Sequence, residues 1–499
     1  MEAAAVGIVA EEVVSTSIQA GVVYGVAKPT PALSATFKRI SNETIIPRIN
    51  HSVTVIDGSA YLFGGETENG KLASDEVHII GLPFDDGGEQ SKPDYKSVPA
   101  LGEGQDGKTP GSRAGHTAVG IAHRIFVFGG RGEDGKAIEE MGRVWVFDTK
   151  TLGWSYIDAV DDNEASMPPA RYQHSCVGSD RPSPPSQKPS YSESFTSTMS
   201  KIPSLVSGTS STPAADQPIV MKEDLSSDAH GTLIVHGGLV SSSSPPVTDT
   251  WLFDISTRTW SSLAFLPSSG ESPNPSSAAL ALTNDIIYTI SGTSQLSHDI
   301  SSIPLKISPH PLDPTKTSIL APASPSWTRN TIPTNPLTPG PQSRIGAVLL
   351  PVTSGVGRHY LLYLMGESAA TKPEAASTEK DEAAPSKPTG DEEQPLLFSD
   401  AWAYGLPPPT LTPAGLKDKA RSTVGMSTPP MTWAEVRVEA NIEEAAEEGA
   451  MGKAHPGPRA WFAADGFDMS RDGGRGVVLW GGRNGRGEVE GDGWVVSVG

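Results

Sequence analysis

The sequence predicts an all-β chain folded as a closed ring of six four-stranded antiparallel sheets, a six-bladed β-propeller. Three observations carry this. A short apolar strand ends in a glycine pair 13 residues after a histidine, from His51 to Gly64 and again from His116 to Gly129. A tryptophan pair nine residues apart follows, as Trp145 to Trp154 and Trp251 to Trp260. The composition, with 52 Gly, 44 Pro and only short apolar runs in 499 residues, suits many strands and turns rather than helices. One sheet of this size cannot bury both of its faces, so the copies must pack on one another.

Taken in order, residues 1–34 read as an N-terminal extension carrying a short amphipathic helix. They lack a basic n-region and contain Glu2, Glu11 and Glu12, which argues against a cleaved leader or a membrane span. Residues 35–41, ATFKRIS, alternate like an edge strand and have no partner nearby. The six blades are expected at about 48–100, 113–158, 171–264, 275–330, 343–438 and 458–499. The second is the least interrupted, with strands at His116 to Ile121, Arg124 to Phe128, Arg143 to Phe147 and Trp154 to Ile157. In the fourth, Ser291 and Gly292 stand where the glycine pair belongs, and in the fifth Met365 and Gly366 do. The sixth stops five residues after Trp494, too soon for a fourth strand. Residues 35–41 are expected to supply it and close the ring without an open edge. Insertions at about 179–230, 367–395 and 406–430, rich in Ser and Pro or in acidic residues, are expected to be disordered.

Charge and cysteine content limit the partners. An excess of 58 acidic over 38 basic residues, net −20, argues against nucleic acid and anionic membrane. Part of it is local, in Glu443, Glu444, Glu447 and Glu448 at helical spacing. The single cysteine, Cys176, permits no intrachain disulfide, so a cytoplasmic or nuclear location is expected.

The glycine pairs Gly64/Gly65, Gly129/Gly130, Gly237/Gly238 and Gly481/Gly482, followed by a spaced aromatic pair that is complete in the second and third copies and has Tyr95 for the outer Trp in the first, resemble a Kelch-repeat β-propeller over roughly residues 35–499. The resemblance extends to galactose-oxidase-like propellers and to specifier-type Kelch proteins. It implies an interaction module in most cases and an enzyme in a few.

An arginine opens each of five copies at a fixed offset: Arg48, Arg113, Arg171, Arg344 and Arg459. With the first strands on the axis, these residues are expected around one mouth of the channel. Glu66, Arg131, Glu367 and Arg483, each just after a glycine pair, belong to the same face, as do Asp75, Asp249, Asp400 and Asp492. Such a ring either attracts a small anionic ligand or consists of arginines each paired with an acidic residue of its own or the next blade. His51, His116 and His174 recur at equivalent positions, which points to a hydrogen bond per blade rather than a metal site. Glu66, Asp75 and His78 form the one loose metal-ligand set. No complete nucleophile or cofactor constellation is present, so the reading leans away from an enzyme and names no cofactor. The expected function is a scaffold binding a protein partner through the loop face around the channel. The alternative is a small-molecule enzyme or ligand-binding protein, metal-dependent and specifier-like, with the arginine-lined mouth as its anion pocket.

Overall fold

Apolar residues in the repeats alternate with period two, and in the folded chain each of the two resulting faces packs on a different neighbour. The computed structural model describes residues 33–40, 43–82, 94–182, 230–263, 279–290, 299–309, 318–332, 340–368, 395–408, 412–439, 455–468 and 475–499, apart from positions 105, 162, 325–326, 355–356, 424 and 426–430. The expected helix in residues 1–34, the Ser291/Gly292 pair, the acidic run from Glu443 and most of the three insertions lie outside these residues.

Blade 1 comprises Ser52–Ile56, Ser59–Phe63, Val77–Gly81 and Tyr95–Val98, each antiparallel to the next. Blade 2 comprises Thr117–Ile121, Arg124–Phe128, Val144–Asp148 and Gly153–Ile157. Blade 3 comprises Ser175–Ser179, Thr232–His236, Thr250–Asp254 and Thr259–Ser262. In blade 4, Ala279–Thr283 and Ile286–Ile290 pair with the long strand Ile300–Pro309, which takes both Thr328–Asn330 and Ser318–Pro322 as partners along its length. Blade 5 comprises Val348–Thr353, His359–Ser368, Leu397–Gly405 and Trp433–Glu435.

Blade 6 has Ala463–Asp468, Arg475–Trp480 and Gly493–Val498, and its fourth strand is Ser34–Arg39, antiparallel with Phe37 opposite Val496. The ring is therefore closed by the N-terminal strand. A further strand, Arg437–Glu439, pairs in parallel with Ser34–Thr36 and holds the closing strand from its other side.

The core lies in six wedges between blades. Ile125 and Val127 face blade 1, packing with Tyr61, Phe63 and Trp154. Phe126 and Phe128, from the same strand, face blade 3 and pack with Phe253 and Trp260. At the closing wedge Val478 and Trp480 meet Val53 and Leu62. Trp154, Trp480 and Trp494 are among the largest fully buried side chains, and such large area is what a wedge widening outward requires.

The glycine pair has a steric cause. A Cβ on Gly64 would lie 2.5 Å from the carbonyl oxygen of Arg113 in the next blade, and one on Gly129 would lie 2.5 Å from that of Arg171. Met365 takes the same left-handed conformation, φ 50°, in blade 5.

One insertion differs from expectation. Within 406–430, expected to be disordered, Pro413–Thr423 forms a helix, α1. Thr412 caps it through Oγ1 to the Gly415 amide, 3.1 Å, and Pro413 suits a first turn that needs no amide. Asp418 then pairs with the buried Arg358 through both oxygens, 2.9 and 3.1 Å, tying the helix to blade 5.

Candidate functional site

The first strands of all six blades stand side by side around the axis and line a channel of about 580 Å³. At one end the chain enters five of these strands through a residue with left-handed backbone. Asn50, Gly115, Gln173, Gly346 and Trp461 have φ of 55°, 64°, 51°, 62° and 61°. These residues bond to one another around the opening: the Trp461 amide donates to Gly346, Asn50 to Trp461, Gly115 to Asn50 and Gln173 to Gly115, at 2.7–3.1 Å. The mouth is thus a hydrogen-bonded annulus spanning blades 5, 6, 1, 2 and 3.

The arginines do not line this channel. Arg113, Arg171, Arg344 and Arg459 are 0–1% exposed, and each donates through Nη1 to the carbonyl oxygen of the first residue of its blade's glycine pair or its substitute, at 2.9–3.1 Å. Each also pairs with a carboxylate of its own blade. Arg113 meets both oxygens of Glu140, 2.9 and 3.0 Å. Arg171 meets both of Asp249, 2.6 and 2.9 Å, and Arg344 both of Asp400, 2.5 and 3.1 Å. Arg459 binds Asp492, 2.8 Å. The indoles of Trp145, Trp251 and Trp402 donate to the same carboxylates of Glu140, Asp249 and Asp400, 2.7–2.8 Å. These four arginines are frames that fix the end of the second strand against the start of the third. The expected anion pocket is corrected on this ground, because a guanidinium already bonded in the plane by a carboxylate and a carbonyl has no fork left for a ligand.

Arg48 departs from the pattern. It donates to the Pro47 carbonyl, 2.9 Å, and lies 3.4 Å from His78 Nε2, with no carboxylate in ion-pair range among the described residues. His78 Nδ1 in turn lies 3.0 Å from the Tyr95 hydroxyl. Burial and the Arg48 charge hold the His78 imidazole below its usual range. Glu66 is taken by Arg131, so Glu66, Asp75 and His78 do not converge. No group of three or more metal-ligating side chains is gathered among the described residues.

The residues after the glycine pairs do come together at the rim, across blade boundaries. Arg131 of blade 2 reaches back to Glu66 of blade 1, and Arg483 of blade 6 to Glu367 of blade 5, 2.7 Å. Both carboxylates are buried while their arginines are 26% and 36% exposed. Beyond them the chain rises in small hairpins, bridged Glu66 to Leu72, Arg131 to Ala137 and Arg483 to Val489. Gly70, Gly135 and Gly487 turn the tips at φ 66°, 73° and 82°. Blades 6, 1 and 2 therefore raise three adjacent fingers on the face of the mouth.

The histidines sit as the repeat implied, in the seams. Ser52 Oγ is 2.9 Å from His116 Nε2, and Thr117 Oγ1 is 2.8 Å from His174 Nε2, in each case joining neighbouring blades. The seryl or threonyl residue directly after each histidine was the sequence signal for this bond. His51, at the closing seam, has neither ring nitrogen bonded. Ala463 of blade 6 occupies the place of Ser52 and Thr117. Burial pushes His51 and His174 down to about 3, so both rings are neutral at physiological pH. Cys176 lines the channel, and burial pushes its thiol up to about 12, which leaves it unreactive.

Residues 50–181 match the KLHDC2/KLHL20/DRC7 Kelch-repeats domain. Over 130 residues the chain is 28% identical to an F-box/kelch-repeat protein of Arabidopsis thaliana, covering 26% of this chain and 25% of that protein. It is 26% identical over 133 residues to a Rho GTPase-activating protein of Dictyostelium discoideum, covering 26% and 8%. It is 30% identical over 130 residues to tip elongation aberrant protein 3 of Schizosaccharomyces pombe, covering 23% and 11%. The chain spans a quarter or less of the length of these curated relatives. Among solved structures, that of YjhT superposes with a TM-score of 0.47 at 12% identity, covering 92% of this chain and 99% of that one. The recurring arginine frames and glycine pairs of the blades, with the match across residues 50–181, support a Kelch-repeat β-propeller.

Proposed function

We propose that the propeller is an interaction scaffold that docks a protein partner on the face carrying the mouth and the three fingers. The observation behind this is the partial exposure of Arg131 and Arg483. Each is bonded to a buried glutamate of the neighbouring blade while part of its side chain stays exposed to solvent. A preoriented guanidinium on a loop face is what a partner's carboxylates or carbonyls recognise at low entropic cost. Arg113, Arg171, Arg344 and Arg459 contribute by fixing the loops, not by touching the partner. A single cysteine, Cys176, permits no intrachain disulfide, and on that ground a cytoplasmic or nuclear location is part of the proposal.

Affinity capture with the wild-type chain, the double variant Arg131→Glu/Arg483→Glu and an opposite-face variant, Lys150→Glu, tests the reading. A partner retained by wild type and Lys150→Glu and lost from the double variant supports it. Equal recovery by all three, or no saturable partner, rejects it.

A further inference from the structure

We infer that the channel mouth binds a small, planar, uncharged ring with amide-like hydrogen-bonding edges, the chemistry of a nucleobase. The left-handed conformation around the annulus suits glycine, which stands there in blades 2 and 5 as Gly115 and Gly346. Blades 1, 3 and 6 place Asn50, Gln173 and Trp461 at the same conformation, which asparagine tolerates but which is disfavoured for glutamine and most of all for bulky tryptophan. The annulus needs only the backbone amides and carbonyls of these positions, so their side chains are not required for closure.

Those side chains share one pocket. Asn50, Gln173 and Trp461 line a hollow of about 140 Å³ at the mouth, and His51 lines both this hollow and the channel below. Neither carboxamide makes a hydrogen bond among the described residues, and both nitrogens of the buried His51 ring are unbonded. The Trp461 indole is held in place: its Nε1 donates to Glu367, 2.9 Å, and its ring lies against Gly346, where a Cβ would come within 2.9 Å of it. One aromatic plate, two free carboxamides and one unsatisfied imidazole are complementary to a flat ring with donors and acceptors on its edge.

No side chain lining the hollow is charged, since burial keeps its histidines neutral. Phosphate or carboxylate would find no counter-charge there. The volume lies below the roughly 300–1,000 Å³ of drug-sized sites, which limits the ligand to one or two fused rings. The inference is independent of partner docking, which rests on Arg131 and Arg483.

Adenine and uracil are the probes, titrated by calorimetry into the full-length chain, with adenosine monophosphate as the charged comparison. Saturable binding of either base is expected, at least tenfold tighter than the monophosphate. The double variant Asn50→Gly/Gln173→Gly removes both carboxamides while giving the backbone the residue it prefers. It should bind the base at least tenfold more weakly with an unchanged or raised melting temperature, and Trp461→Gly should lose binding as well. Absence of saturable binding by both bases, equal affinity for the monophosphate, or full binding by the glycine double variant would overturn the assignment.

Discussion

Ser52 Oγ and His116 Nε2 lie 2.9 Å apart across the seam between blades 1 and 2. Thr117 and His174 repeat the bond at the next seam, 2.8 Å, whereas the closing seam sets Ala463 opposite His51 and leaves the ring unbonded. A net hydrogen bond contributes about 1 kcal/mol, and an orphaned buried group costs about 1–3 kcal/mol. Ala463→Ser should therefore raise stability by about 1 kcal/mol, and Ser52→Ala should lower it by about 1–3 kcal/mol. Denaturant titration of the two variants checks this, and the opposite ordering would refute the bond's role.

Arg171 is fully buried and bonded to both oxygens of Asp249. Removing one member of a buried pair costs about 3–5 kcal/mol, so Asp249→Ala should be strongly destabilising. Glu76→Ala, in the blade whose Arg48 has no carboxylate in ion-pair range among the described residues, should stay within about 0.5 kcal/mol. Similar losses in the two variants would contradict the difference between the frames.

Acid should weaken the ring. Burial lowers His51 and His174 to about 3 and His236 to about 4, from 6.5 in the unfolded chain. Below pH 6.5 the unfolded chain takes up protons that the folded chain refuses, so stability is complete above that pH and falls on the way down to pH 3–4. Each ring contributes up to about 1.4 kcal/mol per pH unit. Asp465, raised by its burial in the channel wall, acts in the other direction, its stabilisation being lost as pH rises through its folded pKa. Denaturant titrations at pH 7.5 and 5 should show the loss, and His174→Asn should reduce the slope by about one proton. A flat profile would argue against neutral buried rings.

Closure rests on Ser34–Arg39, held between Gly493–Val498 and Arg437–Glu439. Deleting residues 1–41 removes Phe37 from the wedge it shares with Trp494 and Val496. It should lower the melting temperature by more than deleting residues 183–229 does. Equal effects would contradict strand closure.

Much of the fold was legible because its cause is local. The glycine pairs record where the next blade's arginine carbonyl crowds the chain, and the tryptophan spacing records the hairpin between third and fourth strands. The closing strand was legible from the shortfall after Trp494. The arginine positions were legible too, and pairing with acidic residues was one of two readings, but nothing chose between them. Arg171 and Asp249 are 78 residues apart with an insertion between them, and nothing local indicates that both guanidinium nitrogens are occupied. Helix α1 was missed because proline-rich composition hid a capping threonine and the distant pairing of Asp418 with Arg358. The strand Arg437–Glu439 was missed because its three residues gain their place only from a partner at the other end of the chain. At the mouth, the glycine, asparagine, glutamine and tryptophan before each first strand share no residue type, only a backbone angle.

The most direct test of the docking face is cross-linking of the captured complex with a lysine-reactive reagent. Lys71 and Lys136 stand on two of the fingers, and Lys150 lies at the opposite end of blade 2. Cross-links from the partner concentrated at Lys71 and Lys136, with none at Lys150, are the predicted result; a complex cross-linked mainly through Lys150 would contradict it.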